Sequence, residues 1–177
     1  ACDFYQAALT YNKRDLLSVL KPYGIAMAKS YYLNFGDPIN KEAIIKKVGL
    51  PCFVKANRSG SSYGISKVYT SDQIEAALEI AFKEDKEVII ESALVGREVS
   101  VGVIQYQGKT KVLPITEILS ENDFFDYQAK YEGKSTEITP ADLEPELEDK
   151  IIAVATFIYN TLNLKGFTRS EFILVNN

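Results

Sequence analysis

The sequence predicts an α+β fold of two lobes, residues 1–91 and 92–177, and three observations carry that prediction. Short helical patterns alternate with short apolar strands as far as Leu94. Beyond Gly96 the texture changes to strict alternation, with Val99, Val101 and Val103 separated by polar or small residues, as in a half-buried antiparallel strand. An aperiodic stretch, one long helical pattern and a closing strand follow. Two lobes account for that change better than one sheet does, and no repeat or low-complexity tract interrupts either.

Taken in order, Lys13 to Leu20 reads as a helix ended near Pro22-Tyr23-Gly24, and Ile25 to Leu33 as a strand. Asn40 is a good N-cap for a second helix, which Gly49 stops. Cys52 to Lys55 is a short buried strand, followed by a Ser/Gly loop and a strand from Ile65 to Tyr69. Thr70 and Gln73 have the spacing of a capping box. The helix it opens places Ile74, Ala77, Leu78, Ala81 and Phe82 on one face. Val88 to Leu94 is a strand. Lys111 to Leu119 is the expected partner of the alternating valine strand, reached through a turn at Gly108. Residues 120–141 show no periodicity and are long enough to act as a lid. A helix from Glu144 to Leu162 would turn Leu147, Ile151, Val154 and Ile158 inward, and Phe167 to Val175 closes the fold.

Composition narrows the chemistry. The 177 residues can bury a real core, and 46% apolar with 25% charged content is ordinary for a globular domain. A net charge of −4 with both signs interspersed shows neither a nucleic-acid stripe nor a basic membrane patch. No apolar run approaches the roughly 18 residues of a membrane span. Cys2 and Cys52 are too few and too far apart for a zinc site or a disulfide framework, so a reducing cytoplasm fits best. Zero histidines is the most useful count, because it removes Ser-His-Asp and Cys-His catalysis and every His-based metal site. Lysine, arginine, carboxylates, hydroxyls and backbone amides remain, the groups that hold polyphosphate and Mg²⁺.

Four segments concentrate those groups. Lys55 ends a strand and leads into Ser59-Gly60-Ser61-Ser62-Tyr63-Gly64, whose small residues leave backbone amides free to cradle an anion. It is neither a Walker A loop nor a dinucleotide fingerprint. Glu91-Ser92-Ala93-Leu94-Val95-Gly96-Arg97-Glu98 is a strand that reaches an acid, turns at glycine and resumes at another acid, a layout suited to a base and a ribose. Phe124 to Tyr131 sets aromatics beside Lys130 in the aperiodic stretch, as a water-excluding lid would. In Phe167 to Ile173, Arg169 and Glu171 share one side of a strand opposite Ser170, a costly pairing in a buried strand unless the two bind each other or a ligand. Each segment alone has a plainer reading: a hairpin loop, a hairpin with solvated acids, a surface loop pinned by aromatics, a structural ion pair.

Together, the order Lys…GSSYGISKV, E…GRE, FDYQAKY with TPA following, and GFTRSEF resembles the D-alanine–D-alanine ligase family of the ATP-grasp superfamily over essentially all 177 residues. The resemblance implies an ATP-grasp fold with the nucleotide cleft between the lobes, truncated at both ends. It implies an ATP-dependent ligase that joins two D-alanines for peptidoglycan, and so for cell wall biogenesis and cell shape. One carboxylate is activated as an acyl phosphate, which the second amine then displaces. It further implies that Lys13, Lys55, Ser62 and Lys130 hold ATP phosphates, with Glu91 and the backbones of Ser92 and Leu94 at adenine and Glu98 at ribose. Ser61 and Tyr131 correspond to a pair that orients the substrates, Arg169 to the arginine at the tetrahedral oxyanion, and Glu171 to a ligand of Mg²⁺ or Mn²⁺. The implied partner is D-alanine, with no nucleic acid or membrane, and with room for a homodimer in the full-length enzyme.

Ala56 stands where the family usually has proline and Glu171 where it usually has aspartate. The family's D-alanine-binding domain would precede Lys13 and its Glu-x-Asn metal ligands would follow Asn177, so the expectation is a piece that binds nucleotide weakly and does not turn over alone. Other ATP-grasp carboxylate–amine or –thiol ligases, a D-alanine–D-lactate ligase and a non-catalytic ATP-grasp domain are the alternatives. Tyr131 speaks against the lactate enzyme, and the joint retention of five costly charges speaks against decay.

Overall fold

The structure is a computed structural model that describes residues 2–120 and 135–175. The chain divides into two compact units, one of Leu9–Leu94 and one of Val95–Asn177 with Ala1–Ala8. A short helix, α1 (Phe4–Tyr11), opens the chain.

In the Leu9–Leu94 unit, helix α2 (Lys13–Leu20) starts because Asn12 accepts from the Asp15 amide, and it ends through a 3-10 turn at Gly24, whose φ is 72°. Strand β1 (Ser30–Asn34) is shorter than the expected run from Ile25. Its ladder partner β4 (Glu87–Ser92) gives out opposite Ser30, so residues 25–29 have no strand to pair with beyond one bond from the Ser92 amide to the Lys29 carbonyl. Helix α3 (Lys41–Val48) is capped by Asn40 and stopped at Gly49, where φ is 76°. β2 (Cys52–Ala56) and β3 (Ile65–Val68) complete an antiparallel sheet in the order β1-β4-β2-β3. The Thr70/Gln73 capping box forms and opens α4 (Ile74–Glu84) through a short 3-10 turn. α3 and α4 cover one face of this sheet, where Ile44, Val54, Ile74, Leu78 and Ile90 are fully enclosed. Burying each such side chain contributes about 1.5–3 kcal/mol.

In the other unit, β5 (Arg97–Tyr106) is the central strand. β9 (Phe167–Leu174) pairs along one edge, while β6 (Lys109–Val112) and β7 (Thr116–Ser120) share the other end to end. The single partner strand expected over 111–119 is therefore two, divided at Leu113-Pro114-Ile115, where proline has no N–H to give the ladder. Part of the stretch expected to be a loop is also a strand, β8 (Ser135–Ile138), paired with β7. It is a largely exposed edge strand with one apolar residue, so it carries no hydrophobic periodicity to read. Helix α5 (Pro145–Thr161) packs on β5 and β6. Its buried residues are Ile151, Ala155, Ile158 and Tyr159, whereas Leu147 and Val154 are only half-buried. The Tyr159 hydroxyl reaches the Gly166 carbonyl at 2.7 Å, which explains why a tyrosine tolerates that interior position. Among the described residues, no helix is long and apolar enough to cross a membrane.

Candidate functional site

Strand alternation in β2 sends Cys52, Val54 and Ala56 into the core and Phe53 and Lys55 to the opposite face. On that face Phe53 lies between Glu91 of β4 and Lys67 of β3. The Lys55 ammonium donates to Glu91 at 2.8 Å, with both side chains mostly buried (25% and 15% exposed). It also sits 5.2 Å from the centre of the Phe53 ring, and Lys67 approaches the same ring at 5.7 Å. An aromatic plate with two cations beside it and one carboxylate is a donor set for a flat base linked to a polyanion. The ammonium of Lys55 has three N–H groups and spends one on Glu91, so it is oriented without being exhausted.

Lys13 is arranged differently. Its ammonium donates to the carbonyls of Ala56, Asn57 and Ser59 at 3.1, 3.2 and 2.9 Å. Those three bonds tie the start of α2 to the entrance of the Ser/Gly loop. Asn57, fully buried, completes the tie: its amide side chain accepts from the Arg14 N–H and donates to Asn12 and Glu87. Arg58 grips Asp85 through two side-chain bonds of 2.9 and 2.8 Å, and the Asp85 carboxyl is held below its usual range by that contact first. Within the loop, Ser61 and Ser62 both have left-handed backbones, with φ of 49° and 60°. Gly64, at φ 67°, has no room for a Cβ, which would come within 2.8 Å of the Glu84 side chain. The loop is thus anchored at both ends and its two serines are held in a conformation that L-residues rarely adopt. At the far end of β4, the Ser92 hydroxyl donates to the Val48 carbonyl at 2.7 Å, and Leu94 is exposed.

In the Val95–Asn177 unit, the buried valines of β5 point toward α5, and Glu98 points the other way. Register places Ser100 opposite Glu171, and Gly102 opposite Arg169, on that same face. Arg169 and Glu171 bond each other at 2.9 Å. They are exposed rather than enclosed in a buried strand, so the argument from desolvation cost does not apply to them. Arg169 keeps most of its five N–H donors for a ligand, and Glu171 offers one hard oxygen ligand to a divalent cation. Among the described residues no cluster of three acid, histidine or cysteine ligands occurs, so a metal's ligand set is not complete there. Lys130 and Tyr131, and the lid expected around them, lie outside the described residues.

Sequence reasoning missed several residues. Phe53 and Lys67 were legible, because alternation from Lys55 and from Ile65 puts them on the same face. Asn57 was not, since its role is a set of long-range hydrogen bonds. Arg97 was quoted only as part of a turn, yet it forks the buried Glu117 carboxylate at 2.7 and 2.8 Å and reaches the Asp142 carbonyl at 2.6 Å. That contact pushes the Arg97 pKa up and the Glu117 pKa down.

Comparison with known proteins gives a consistent picture. A family model described as D-ala D-ala ligase C-terminus matches residues 19–177. The D-alanine–D-alanine ligase of Flavobacterium johnsoniae is 66% identical over 177 residues, which is 100% of this chain and 55% of that ligase. The structure of the D-alanine–D-alanine ligase from Bacillus anthracis aligns with a TM-score of 0.84 at 28% identity, covering 99% of this chain and 56% of that one. The VanG D-Ala:D-Ser ligase from Enterococcus faecalis aligns at 0.81 with 33% identity, over 98% and 51%. The chain spans about half the length of the relatives it matches.

Proposed function

The chain belongs to the D-alanine–D-alanine ligase family, in the part of it described as the C-terminus, and from that premise we propose that it carries the nucleotide-binding and part of the carboxyl-activating machinery of an ATP-dependent D-alanine–D-alanine ligase. One observation carries the proposal: Lys55, oriented by Glu91, stands beside Phe53 and Lys67 on a sheet face that α3 and α4 leave uncovered. When bound, ATP supplies the phosphoryl group that turns a carboxylate into an acyl phosphate.

The roles of Lys55 and Arg169 follow from the donors each keeps, and the others are those the family resemblance assigns. Lys55 holds phosphate oxygens with the two N–H groups that Glu91 leaves it, and Glu91, Ser92 and Leu94 border the adenine. Ser62 and the loop amides close over the terminal phosphates, with Lys130 as a further cation and Ser61 and Tyr131 orienting the substrates. Lys13 reaches phosphate only by releasing loop carbonyls, which couples its role to loop position. Glu98 accepts from the ribose hydroxyls. Arg169 supplies preorganised N–H groups to the tetrahedral oxyanion, and Glu171 contributes one ligand to Mg²⁺ or Mn²⁺. The second substrate is D-alanine rather than D-serine, a choice supported by the name of the 66%-identical relative. The same reading makes the protein a cytoplasmic enzyme of peptidoglycan synthesis and cell shape, acting as a homodimer at full length.

The test is made on the intact gene product. Mg-ATP at ~100 times its dissociation constant stabilises a binder by about 2.7 kcal/mol in thermal melts. Lys55→Ala lowers ATP affinity about tenfold or more, the scale of one lost charge-assisted bond, and phosphate release depends on D-alanine. Unchanged ATP affinity in Lys55→Ala overturns the site; phosphate release indifferent to D-alanine overturns the substrate.

A further inference from the structure

At the β1 edge of the sheet, two strands from Lys55, the Leu9–Leu94 unit contains a concavity of about 390 Å³. Its walls come from the last turn of α2, from the irregular segment 25–29 leading into β1, and from the end of α3. Leu17, Met27 and Tyr32 give it apolar walls, and Lys21, Lys29 and Lys47 stand around it. No acidic residue lines it, in a chain with 24 acids against 20 lysines and arginines. Among the described residues, none of these three lysine side chains has an ion-pair or hydrogen-bond partner. A fourth cation stands close by, since Arg14 stacks on the Tyr32 ring at 5.1 Å.

Helix-end electrostatics accounts for Lys21 and Lys47 singly, because each follows or ends a helix whose carbonyls welcome a cation. It does not account for Lys29, which lies in no helix, nor for the convergence of all three on one cavity. Three exposed like charges beside one concavity direct a positive field toward it. Lysine binds phosphate as a point charge rather than through a planar fork, so three separate ammonium groups suit a compact dianion better than a flat carboxylate. The volume falls in the range of small-molecule sites, and the apolar walls call for more than an inorganic ion.

We propose that this cavity binds a soluble phosphomonoester with an apolar or aromatic body, at the β1 edge of the sheet, two strands from Lys55. The phosphate sits among Lys21, Lys29 and Lys47, and the body lies against Leu17, Met27 and Tyr32. Nothing in the proposal depends on the ligase reading.

Calorimetric titration of the intact protein with phenyl phosphate, inorganic phosphate and phenol tests it. Phenyl phosphate binds, phenol does not, and inorganic phosphate binds more weakly. Raising the salt weakens binding, as for any partly exposed ionic contact. The double variant Lys29→Gln/Lys47→Gln, changed at exposed positions, loses affinity for phenyl phosphate by about tenfold, while its ATP affinity stays that of the parent. An equal loss of ATP affinity in that variant, equal binding of inorganic phosphate, or no binding at all overturns the proposal. Failure of the ATP experiment with success here leaves this site standing.

Discussion

Replacing Arg97 with methionine removes a guanidinium and keeps most of the aliphatic stem. The guanidinium forks Glu117 at 2.7 and 2.8 Å and also holds the Asp142 carbonyl at 2.6 Å, so one side chain joins β5, β7 and the segment before α5. Glu117 is only 7% exposed and would keep a charge with no partner. Breaking a fully buried pair from one side costs about 3–5 kcal/mol, and Arg97 is 37% exposed, so water can reach one end of the site and the expected loss is ~2–3 kcal/mol. Urea denaturation measures it as a lower midpoint at unchanged m-value. The companion Arg97→Met/Glu117→Leu removes both charges and should return to within about 1 kcal/mol of the parent, because a matched apolar pair replaces the ion pair at little net cost. If single and double variants are equally destabilised, the cost does not come from the stranded carboxylate and the reasoning fails.

Three further outcomes are expected. Gly96→Ala drives a methyl into the Leu174 carbonyl oxygen, which forces the start of β5 away from β9; calorimetric melting should show a loss of about 3 kcal/mol, and a neutral variant would mean the strands meet elsewhere. Ser62→Val and Ser62→Gly both remove the hydroxyl, but only valine is penalised at φ 60°, so valine should be less stable than glycine by about 1–2 kcal/mol in the same assay, and equal stabilities would reject the left-handed backbone. Asp85 and Glu117 have pKa values lowered by Arg58 and Arg97, so their contribution is full above the unfolded carboxylate range and is lost as pH falls through the lower folded values. Stability should therefore hold at pH 5 and decline below about pH 4, less steeply in Arg97→Met, which an acid titration followed by circular dichroism would resolve.

Elements whose cause is local were legible in the sequence. Asn40 with Gly49, Thr70 with Gln73, and the valine alternation of β5 each state a cap or a face within a few residues, and each formed. Errors fell where a neighbour decides. The strand expected from Ile25 starts at Ser30 because β4 stops at Ser92, and β8 exists because β7 offers an edge, neither of which shows in the segment's own pattern. The same division runs through the site. Lys55 and Glu91 were named separately, but that they bond each other depends on a register bringing residues 36 positions apart side by side. Arg169 and Glu171, two residues apart on one strand, could be paired by alternation alone, though not assigned their exposure.

Two lysines of the Leu9–Leu94 unit, Lys13 and Lys55, show why residue type and position do not by themselves assign a role. Both flank the Ser/Gly loop and both resemble phosphate-holding lysines. Lys55 is tethered by a carboxylate through one bond, which fixes its direction and leaves two donors, so a phosphate can add to the arrangement without dismantling it. Lys13 has spent three bonds on main-chain carbonyls of residues 56, 57 and 59. A phosphate that takes its ammonium must take it from the loop's own entrance, where buried Asn57 is also fastened. On the proposed reading, phosphate binding at Lys55 is a local event, whereas binding at Lys13 is coupled to the position of Ser61 and Ser62, whose backbones are left-handed. On the proposed reading, in which the loop closes over phosphates, the cation that recognises the ligand is also the latch that holds the loop at its entrance.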